Sequence, residues 1–493
     1  MHAWSLPAGP RDAKDSEVGR SHGAMASMTG TRSSPRPERL SAFRQELPYR
    51  ELWTFARALA ATEPGTAFLD SSCEPADEGR FSVLGWRPVK TLRWPVGARG
   101  ALDGLRRVIG ERRMEPDPDS PVPYRAGFLG WISYDIGRQI ETLPDRHGPT
   151  PGVPDVVIAE YEALLVEDRR DKRLFLTGAC PISEGPSRLL ARQSQILDMM
   201  SDLPTPDATD GPAAEDIEPD VGRDDHMARV NRVLEYIRAG DIFQANLAQR
   251  FSGRLRVPAI EAYARLRAES PAPYGCFMDL GGPQVLSISP ELFLRRTGDR
   301  IETRPIKGTR PRASDPVEDR LLRDALASSE KEQAELAMIV DLLRNDLGRV
   351  AETGSVTVDE ARALHAHPTV HHAVATVSAR LGRDVHAADL VAATMPGGSI
   401  TGAPKIRAME ILEELEDGRR GPYCGAAGWF GYDGDVALNI LIRTLVVSEE
   451  RVSFHVGGGI VADSDAGEEY DETLVKAQAL LAALSRTASR SST

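Results

Sequence analysis

The stretch CGAAGWFGYDGDVALNILIRTLVVSEERVSFHVGGGIV, residues 424–461, decides the fold class of this chain. Its β-branched and aromatic residues favour strands, and turn residues such as DGD at 433–435 divide it into several short segments. These segments follow one another without a helix between them, whereas parallel strands require a long and usually helical connection. The stretch therefore predicts antiparallel strands joined by tight turns.

Helical segments surround this β-rich stretch, because their apolar residues recur at the spacing of one helix face. They are DHMARVNRVLEYIRAG (225–240), SSEKEQAELAMIVDLLRNDLGRV (328–350), APKIRAMEILEELE (403–416) and EEYDETLVKAQALLAAL (468–484). Another strand pair is predicted in PQVLSISPELFLRR (283–296) and RIETRPIKG (300–308). Strands and helices do not alternate strictly, so we predict an α+β fold with largely antiparallel β-sheets packed with outer helices.

Composition divides the chain into regions. An excess of Gly, Ser, Pro and charged residues at the start predicts a disordered tail, and an acidic segment rich in Pro and Ala predicts a linker or a long exposed loop. The predicted order is a disordered tail (1–40), an N-terminal region of mixed strands and helices (41–202), the linker (203–223), a domain denser in motifs (224–487) and a disordered C-terminus (488–493).

Charge and cysteine content exclude several classes of protein. The chain has 60 Lys and Arg against 73 Asp and Glu, a net charge of -13, so it lacks the basic surface that nucleic acid binding needs. Its four cysteines are scattered without CxxC spacing, which is typical of a reducing cytoplasm rather than of a disulfide framework or a zinc site. No apolar run reaches the length of a membrane span, so we predict a cytoplasmic protein without a membrane partner.

Two predicted helices each carry the pattern Glu-x-x-Glu, in the pairs Glu332/Glu335 and Glu469/Glu472. Residues three apart project from the same helix face, and four carboxylates brought together would repel one another unless a cation lay among them. Ligands that are all oxygens suit Mg²⁺, which keeps positions for an anionic substrate. The alternative is that both pairs belong to solvated helix faces.

Other residues have both a chemical interpretation and a structural alternative. Lys307 lies in the turn PIKGT at a strand end, where a lysine usually only meets solvent. Arg443 is a cation within the apolar run LNILIRTLVV, so either a substrate carboxylate or a structural ion pair must offset its burial. His372 either orients a substrate or is a hydrogen-bonded core histidine. The glycine-rich segments at 396–405 and 457–464 expose backbone N–H groups that bind anions, although such glycines also mark ordinary turns.

Taken together, these segments resemble the family of chorismate-utilising enzymes, which includes anthranilate, aminodeoxychorismate, isochorismate and salicylate synthases. The resemblance covers about 235–476 and looser matches at 67–71 and 128–138, and it implies an anthranilate synthase component I-like fold. The matching stretches are AGDIFQANLAQRF, SPELFL, ETRPIKGTRPR, EKEQAELAMIVDLLRNDLGRV, PGGSITGAPKIRAMEILEELE and GGGIVADSDAGEEYDET.

The resemblance also implies roles for individual residues. Glu335 and Glu472 are expected to bind Mg²⁺, and Glu332 and Glu469 to support the ion through water. The residues implied to hold the carboxylates and the enolpyruvyl group of chorismate are Arg443, Tyr423, Gly457 and Gly459. Ser399, Thr401, His372 and Lys476 are implied to line the same pocket.

Two positions distinguish the branches of this family. Members that add water to chorismate carry a lysine base where this chain has Gln244, and a neutral amide cannot deprotonate water, so ammonia is the expected nucleophile. At the other position anthranilate-forming members resemble PIAGT, whereas one class of aminodeoxychorismate-forming members shows PIKGT, as here. The resemblance therefore implies that Lys307 is a covalent nucleophile and that Glu291 of SPELF is the general acid.

The function implied by the resemblance is amination of chorismate to 4-amino-4-deoxychorismate, for p-aminobenzoate and folate. The alternatives are anthranilate formation and a non-catalytic sensor of chorismate or tryptophan that keeps the fold. An ammonia donor is needed, and none of the four cysteines lies in a G-x-C-x-G elbow. We therefore predict a separate glutamine amidotransferase subunit (component II) as the partner, and a separate lyase that forms p-aminobenzoate.

Overall fold

A computed structural model describes residues 37–73, 78–183, 187, 211–367 and 370–485 of this chain. The chain divides into two compact units, Met1–Arg36 and Pro37–Thr493, and every described residue belongs to the second unit. Most of the tail predicted at 1–40, and the whole C-terminus predicted at 488–493, lie outside the described residues.

The regular elements are numbered in chain order. The strands are β1 (Glu38–Leu47), β2 (Thr66–Asp70), β3 (Phe81–Gly85), β4 (Lys90–Trp94), β5 (Arg112–Met114), β6 (Gly127–Ile132), β7 (Val156–Tyr161), β8 (Ala163–Asp168), β9 (Arg173–Pro181), β10 (Ala214–Pro219), β11 (Gln244–Leu255), β12 (Tyr274–Asp279), β13 (Gln284–Ser289), β14 (Leu292–Thr297), β15 (Arg300–Arg304), β16 (Ile306–Pro311), β17 (Thr357–Ala366), β18 (Val370–Arg380), β19 (Gly402–Ala403), β20 (Ala426–Gly431), β21 (Val436–Ile440), β22 (Thr444–Ser448) and β23 (Arg451–Ile460).

The α-helices are α1 (Leu52–Thr62), α2 (Ala101–Gly110), α3 (Gly137–Ile140), α4 (Arg223–Arg238), α5 (Ala259–Glu269), α6 (Pro316–Ser328), α7 (Glu330–Gly348), α8 (Ala387–Thr394), α9 (Lys405–Leu415) and α10 (Ala466–Ser485). Local capping explains several of their ends. The Ser329 hydroxyl accepts the Glu332 N–H at the start of α7, and Gly240 takes a positive φ of 83° just after α4. None of the helices in the described ranges combines the length and the apolar composition that crossing a bilayer demands.

Two large sheets are present in the described part of the chain. The first has the order β10-β11-β23-β22-β13-β12-β2-β3-β8-β9-β1-β5, with β19 beside β11, and the second has the order β16-β18-β15-β14-β21-β20-β6-β7-β4, with β17 beside β18. Among these described ladders only β1 and β5 pair in parallel, and the rest are antiparallel. The prediction of an α+β fold with largely antiparallel sheets is confirmed.

The hydrophobic core has an inner layer and two outer layers. Between the sheets, Trp131 and Trp429 of the second sheet pack with Phe175 and Met278 of the first. On the far side of the first sheet, α1, α5 and α10 bury residues such as Phe55, Tyr263 and Leu480. On the far side of the second sheet, α2, α7 and α8 bury Leu105, Leu336 and Leu390. The helices are therefore on the outside, as predicted. All four cysteines are buried and free of disulfides.

The predicted boundaries differ from the structure at two places. β1 begins at Glu38, inside the predicted tail, and β10 lies inside the linker predicted at 203–223. β10 is an edge strand and β1 lies next to the edge strand β5. Both expose polar residues, which composition cannot distinguish from those of loops, and both pair with strands outside the predicted tail and linker. Strands from both sides of the linker share each sheet, since β12 pairs with β2 and β20 with β6. The division into 41–202 and 224–487 stays a prediction.

Two of the points at which the chain crosses from one sheet to the other are neighbours. One crossing, between β13 and β14, contains Glu291, and the other, between β21 and β22, contains Arg443. β13 pairs with β22 and β14 pairs with β21, so the two crossings lie side by side. The Ile440 N–H donates to the Glu291 carbonyl at 3.2 Å, and the Ile288 N–H donates to the Arg443 carbonyl at 3.1 Å. This seam between the sheets positions the candidate site.

Candidate functional site

Glu291 is a buried carboxyl group at the first crossing, with 5% of its surface exposed. Its carboxylate accepts a hydrogen bond from the Ser399 hydroxyl at 2.7 Å and another from the Ile306 backbone, and Lys307 is near enough to interact with it electrostatically. Burial raises the pKa of Glu291 to about 7, because these partners only partly offset the loss of water around the carboxylate. A carboxyl group that titrates near neutrality is suited to general acid catalysis.

We expect Glu291→Gln to stabilise the folded chain at about pH 8. The pKa of Glu291 is about 7 in the fold and near 4.5 in the unfolded chain, so stability is lost as the pH rises between these values. The amide of the variant does not ionise, so it avoids this loss. The free energy of unfolding is expected to rise by about 1–3 kcal/mol at about pH 8 and to change very little at about pH 4.5. Urea unfolding at both pH values measures the difference, and Ser399→Ala is the control with the opposite sign. An equal effect of Glu291→Gln at the two pH values would contradict this account.

Lys307 lies on β16, one residue after the start of the strand, and its side chain is only partly exposed. Burial lowers the pKa of its amine. The carboxylates of Glu335, Glu291 and Glu472 oppose this shift, and the nearby charge of Lys476 adds to it. A lysine with a lowered pKa has a larger neutral, nucleophilic fraction at a given pH.

Gly308 allows the chain around Lys307 to approach two helices closely. Its φ is 92°, a conformation that favours glycine, and a Cβ atom here would lie 2.8 Å from Leu326 Cδ1 and 2.9 Å from Glu332 Oε2. The PIKGT segment is therefore fitted between α6 and α7, which holds Lys307 against the interior rather than leaving it on a free surface turn.

Glu332 and Glu335 lie in the first two turns of α7, and Glu469 and Glu472 lie in the first two turns of α10. Glu335 and Glu472 are near enough to interact electrostatically between the two helices. Burial raises the pKa of Glu335, and the neighbouring charges of Glu472 and Glu332 raise it further. Burial also raises the pKa of Glu469, again with Glu472 adding to the shift. The solvated-face alternative is not what the structure shows for Glu469, which is buried with its carboxylate bonded to the Ser464 hydroxyl at 2.6 Å.

Two cations contact this carboxylate group. Arg310 pairs with Glu332 at 2.8 Å, and Lys476 pairs with Glu472 at 2.7 Å. The second oxygen of Glu332 is buried without a hydrogen-bond partner. As they stand, no three or more His, Cys, Asp or Glu side chains of the described ranges are arranged to hold a metal ion. The unpartnered oxygen and the crowded carboxylates nevertheless suit a hard cation, because added positive charge would offset both.

Arg443 has no acidic partner among the described residues. Burial lowers the pKa of its guanidinium, and its backbone adopts a positive φ of 49° at the second crossing. The structural ion pair considered for Arg443 is therefore missing from the described part of the chain. A buried guanidinium of this kind is suited to bind the carboxylate of a ligand.

His372 is a neutral histidine beside Arg443. Burial, together with the charges of Arg443 and His367, lowers its pKa to about 3. Its Nδ1 is 2.9 Å from the Thr309 hydroxyl, which lies on the same strand as Lys307. His372 can therefore exchange hydrogen bonds with a ligand, but it does not carry a charge at neutral pH.

Gly457 and Gly459 lie on β23, the strand that pairs with β11 near Gln244. A Cβ on Gly459 would lie 2.5 Å from Gln244 Nε2, and the Gly457 carbonyl accepts a hydrogen bond from Lys476 Nζ at 2.9 Å. Gln244 is 1% exposed, and its Oε1 is without a hydrogen-bond partner. The structure thus brings Gln244, Gly459, Gly457 and Lys476 into one continuous group.

The side chains of Tyr423 and Thr401 contact residues that are not part of the predicted site. The ring of Tyr423 is buried and stacks on His455 with centroids 5.0 Å apart, and the Thr401 hydroxyl donates to the Gly397 carbonyl at 3.0 Å. In the described ranges, neither side chain hydrogen-bonds to another predicted site residue. Thr401 lies two residues after Ser399, and His455, on which Tyr423 stacks, lies two residues before Gly457. The contact of Tyr423 and Thr401 with a substrate stays a prediction.

Sequence reasoning did not find two ion pairs at this site. Arg310 contacts Glu332, and the buried pair Glu416 and Arg420 lies behind Ser399. The only local signal for the second pair is opposite charge at i,i+4 in EDGRR, which also describes a solvated charge cluster. Burial distinguishes the two interpretations, and burial is a tertiary property.

A separate cavity of about 370 Å³ lies between the two sheets. Its walls include Leu69, Asp70 and Ser71 of the AFLDS segment and the neighbouring Tyr274, and Trp429 of the second sheet also lines it. None of the predicted site residues is among its lining residues. The predicted site and the large internal cavity are therefore different places in the fold.

Comparison with known proteins shows the family and the fold of this chain. The sequence profile of the chorismate binding enzyme family matches residues 69–482. The chain therefore belongs to the chorismate-binding enzyme family, and within it to the anthranilate synthase and aminodeoxychorismate synthase type.

Three relatives illustrate this similarity. "Anthranilate synthase component 1 1" of Haloarcula marismortui is 41% identical over 86% of this chain and 88% of its own length. "Aminodeoxychorismate synthase component 1" of Klebsiella aerogenes is 41% identical over 85% of this chain and 94% of its own. The crystal structure of anthranilate synthase component I from Streptococcus pneumoniae is 33% identical, covers 82% of this chain and 92% of its own, and has a TM-score of 0.72. The predicted anthranilate synthase component I-like fold is confirmed.

Proposed function

We propose that this chain is the chorismate-aminating subunit that places ammonia at C4, giving 4-amino-4-deoxychorismate. The observation that carries the proposal is the pair Lys307 and Glu291, whose pKa values are shifted toward each other, downward for the amine and upward for the acid. A neutral amine is needed for nucleophilic attack, and a protonated acid is needed for loss of a hydroxyl group. Burial at the seam supplies both conditions.

The proposed reaction has two balanced substitutions. In the first, the Lys307 amine forms a bond to C2, the ring double bonds shift, and the C4 hydroxyl takes a proton from Glu291 and leaves as water. The amine gives up one proton, which restores the Glu291 acid. In the second, ammonia forms a bond to C4 and gives up one proton, the double bonds shift back, and the C2–Nζ bond breaks as that proton returns to the lysine nitrogen, which leaves as the neutral amine. Splitting one difficult displacement in this way is covalent catalysis.

Other residues are proposed to bind and orient the substrate. Arg443 would take one carboxylate of chorismate, since it has no acidic partner in the described part of the chain, and neutral His372 would donate a hydrogen bond. Glu335 and Glu472, with Glu332 and Glu469 next to them, would hold Mg²⁺, which when bound supplies positive charge for a substrate carboxylate. The Gln244 side chain would lie beside the incoming nucleophile. A neutral amide cannot deprotonate water, so ammonia is favoured over water as the nucleophile.

Anthranilate formation is the alternative, and the names of the relatives are divided between the two reactions. That reaction brings ammonia to C2 and then eliminates pyruvate. In this chain Lys307 is proposed to take the C2 position, which speaks against it. A non-catalytic sensor would not require a lysine and an acid whose pKa values are both shifted. The experiment below distinguishes a sensor from an enzyme.

The experiment is incubation of the purified chain with chorismate, Mg²⁺ and an ammonium salt. We expect an aminated product that keeps the enolpyruvyl group, with NMR placing the amino group at C4. Anthranilate as the product, or no consumption of chorismate, would contradict the proposal.

The partner is proposed to be a glutamine amidotransferase subunit that delivers ammonia in the cytoplasm. We expect the isolated chain to use ammonium but not glutamine, because none of its cysteines lies in a nucleophile elbow and all four are buried. Product formation with each nitrogen source measures this directly. Glutamine-dependent product from the chain alone, in preparations shown to be free of amidotransferase, would contradict the prediction.

A further inference from the structure

Arg420 is a buried arginine that bonds to three separate segments. It is 3% exposed, and its guanidinium donates to Glu416 Oε2 at 2.9 Å and Oε1 at 2.6 Å. It also donates to the carbonyls of Ile400, at 2.9 Å, and Asn246. These contacts use the planar fork of donors that only arginine has.

Two of these acceptors, Ile400 and Asn246, lie within two residues of a predicted site residue. Ile400 follows Ser399, whose hydroxyl bonds to Glu291, and Asn246 lies two residues after Gln244 on β11. Glu416 Oε1 accepts the Ala248 N–H as well, at 3.0 Å, so the pair fastens β11 twice. The guanidinium also lies 5.7 Å from the ring centre of Tyr423.

We propose that Arg420 and Glu416 form a positioning pair for the reaction, which holds the Ser399 segment, the Gln244 strand and the Tyr423 ring in one arrangement. A buried ion pair stabilises a fold little more than an apolar pair of the same size, so stability alone does not account for these residue types. Hydrogen bonds of fixed direction to three segments do account for them. The proposal rests on the proposed site, but not on the carbon at which ammonia enters.

The pair acts on Glu291 through Ser399. The groups that face the Glu291 carboxyl are the Ser399 hydroxyl, the Ile306 N–H, the Lys307 amine and the Cys424 thiol. The Ser399 hydrogen bond favours the ionised carboxylate and so lowers its pKa. If the Ile400 carbonyl loses its anchor and Ser399 shifts, the pKa of Glu291 rises. The alkaline limb of the pH–rate profile, where the acid form is lost, then moves to higher pH.

The test is Arg420→Lys, which keeps the charge and removes the fork. With chorismate consumption as the assay, we expect kcat per folded enzyme to fall about 10- to 100-fold, because small misplacements of catalytic groups cost factors of this size. KM is expected to change by less than about threefold, and the alkaline limb to move up by about half a pH unit to one unit. The matched control is Arg419→Lys, a buried arginine that pairs with Asp145 at 2.8 Å, for which we expect kcat and the limb of the wild type.

Folding losses are separated by circular dichroism and by a second variant. If Arg420→Lys does not fold, Glu416→Gln keeps the size and both acceptor positions in part, and we expect smaller shifts in the same directions. Wild-type kcat and an unmoved limb in a folded variant would overturn the proposal, and so would equal losses in Arg420→Lys and Arg419→Lys. Identification of the wild-type product decides the proposed function separately, so the two can fail independently.

Discussion

Lys307→Ala is expected to lower the rate of 4-amino-4-deoxychorismate formation by at least about 1,000-fold, the scale seen when a covalent nucleophile is removed. Burial against α6 and α7 lowers the pKa of this amine, so the wild type has a neutral nucleophile that alanine cannot replace. Lys307→Arg is expected to rescue little, because a guanidinium stays protonated and cannot attack. Rates are measured with ammonium as the nitrogen source, and Lys90→Ala on distant β4 serves as the control.

A covalent intermediate also predicts a species that can be isolated. Wild-type chain given chorismate without ammonia should carry an adduct on the peptide that contains Lys307, detected by mass as chorismate minus water. The alanine variant recreates the PIAGT turn, so any residual product is expected to carry its amino group at C2. A near-normal rate at C4 in Lys307→Ala, with no adduct on the wild type, would contradict the covalent role and leave Lys307 as a charge that only positions the substrate.

Glu335→Gln is expected to lower kcat by about 100-fold or more while the variant keeps its fold. The pKa of Glu335 is raised by burial and by neighbouring carboxylates, so loss of its charge removes repulsion instead of a stabilising contact. Without Mg²⁺, the melting temperature of the variant should equal or exceed that of the wild type. With Mg²⁺, only the wild type should gain thermal stability and show heat of binding in calorimetry.

Two related variants sharpen the metal prediction. Glu472→Gln should also lose turnover, but it additionally breaks the pair with Lys476. Burial raises the pKa of Glu472, but the charge and hydrogen bond of Lys476 and the charges of Lys331 and Lys307 together outweigh burial and lower the pKa. Glu330→Gln makes the same chemical change in the first turn of α7 at an exposed residue, so it should behave like the wild type. Wild-type activity of Glu335→Gln or Glu472→Gln at limiting Mg²⁺ would mean that the four-glutamate site is wrong.

Local patterns predicted the elements that carry the site. The 328–350 and 468–484 segments are helices, and the spacing of Glu332 with Glu335 and of Glu469 with Glu472 does put each pair on one face. Helical periodicity is a property of consecutive residues, so it can be read without the fold. The edge strand β10 was missed for the opposite reason, since its pairing with β11 depends on residues about thirty to forty positions away.

The sequence by itself determined the fold class, the helices and strands around the site, and the residue types available for chemistry. Tertiary structure decided what those residues can do. Glu291 and Arg443 come together because two chain crossings lie side by side, and Ser399 reaches Glu291 from 108 positions away. The lowered pKa of Lys307 and the raised pKa of Glu291 arise from burial between distant segments. Loss of solvent and contact with remote charges are set by packing, so no local pattern of residues can specify them.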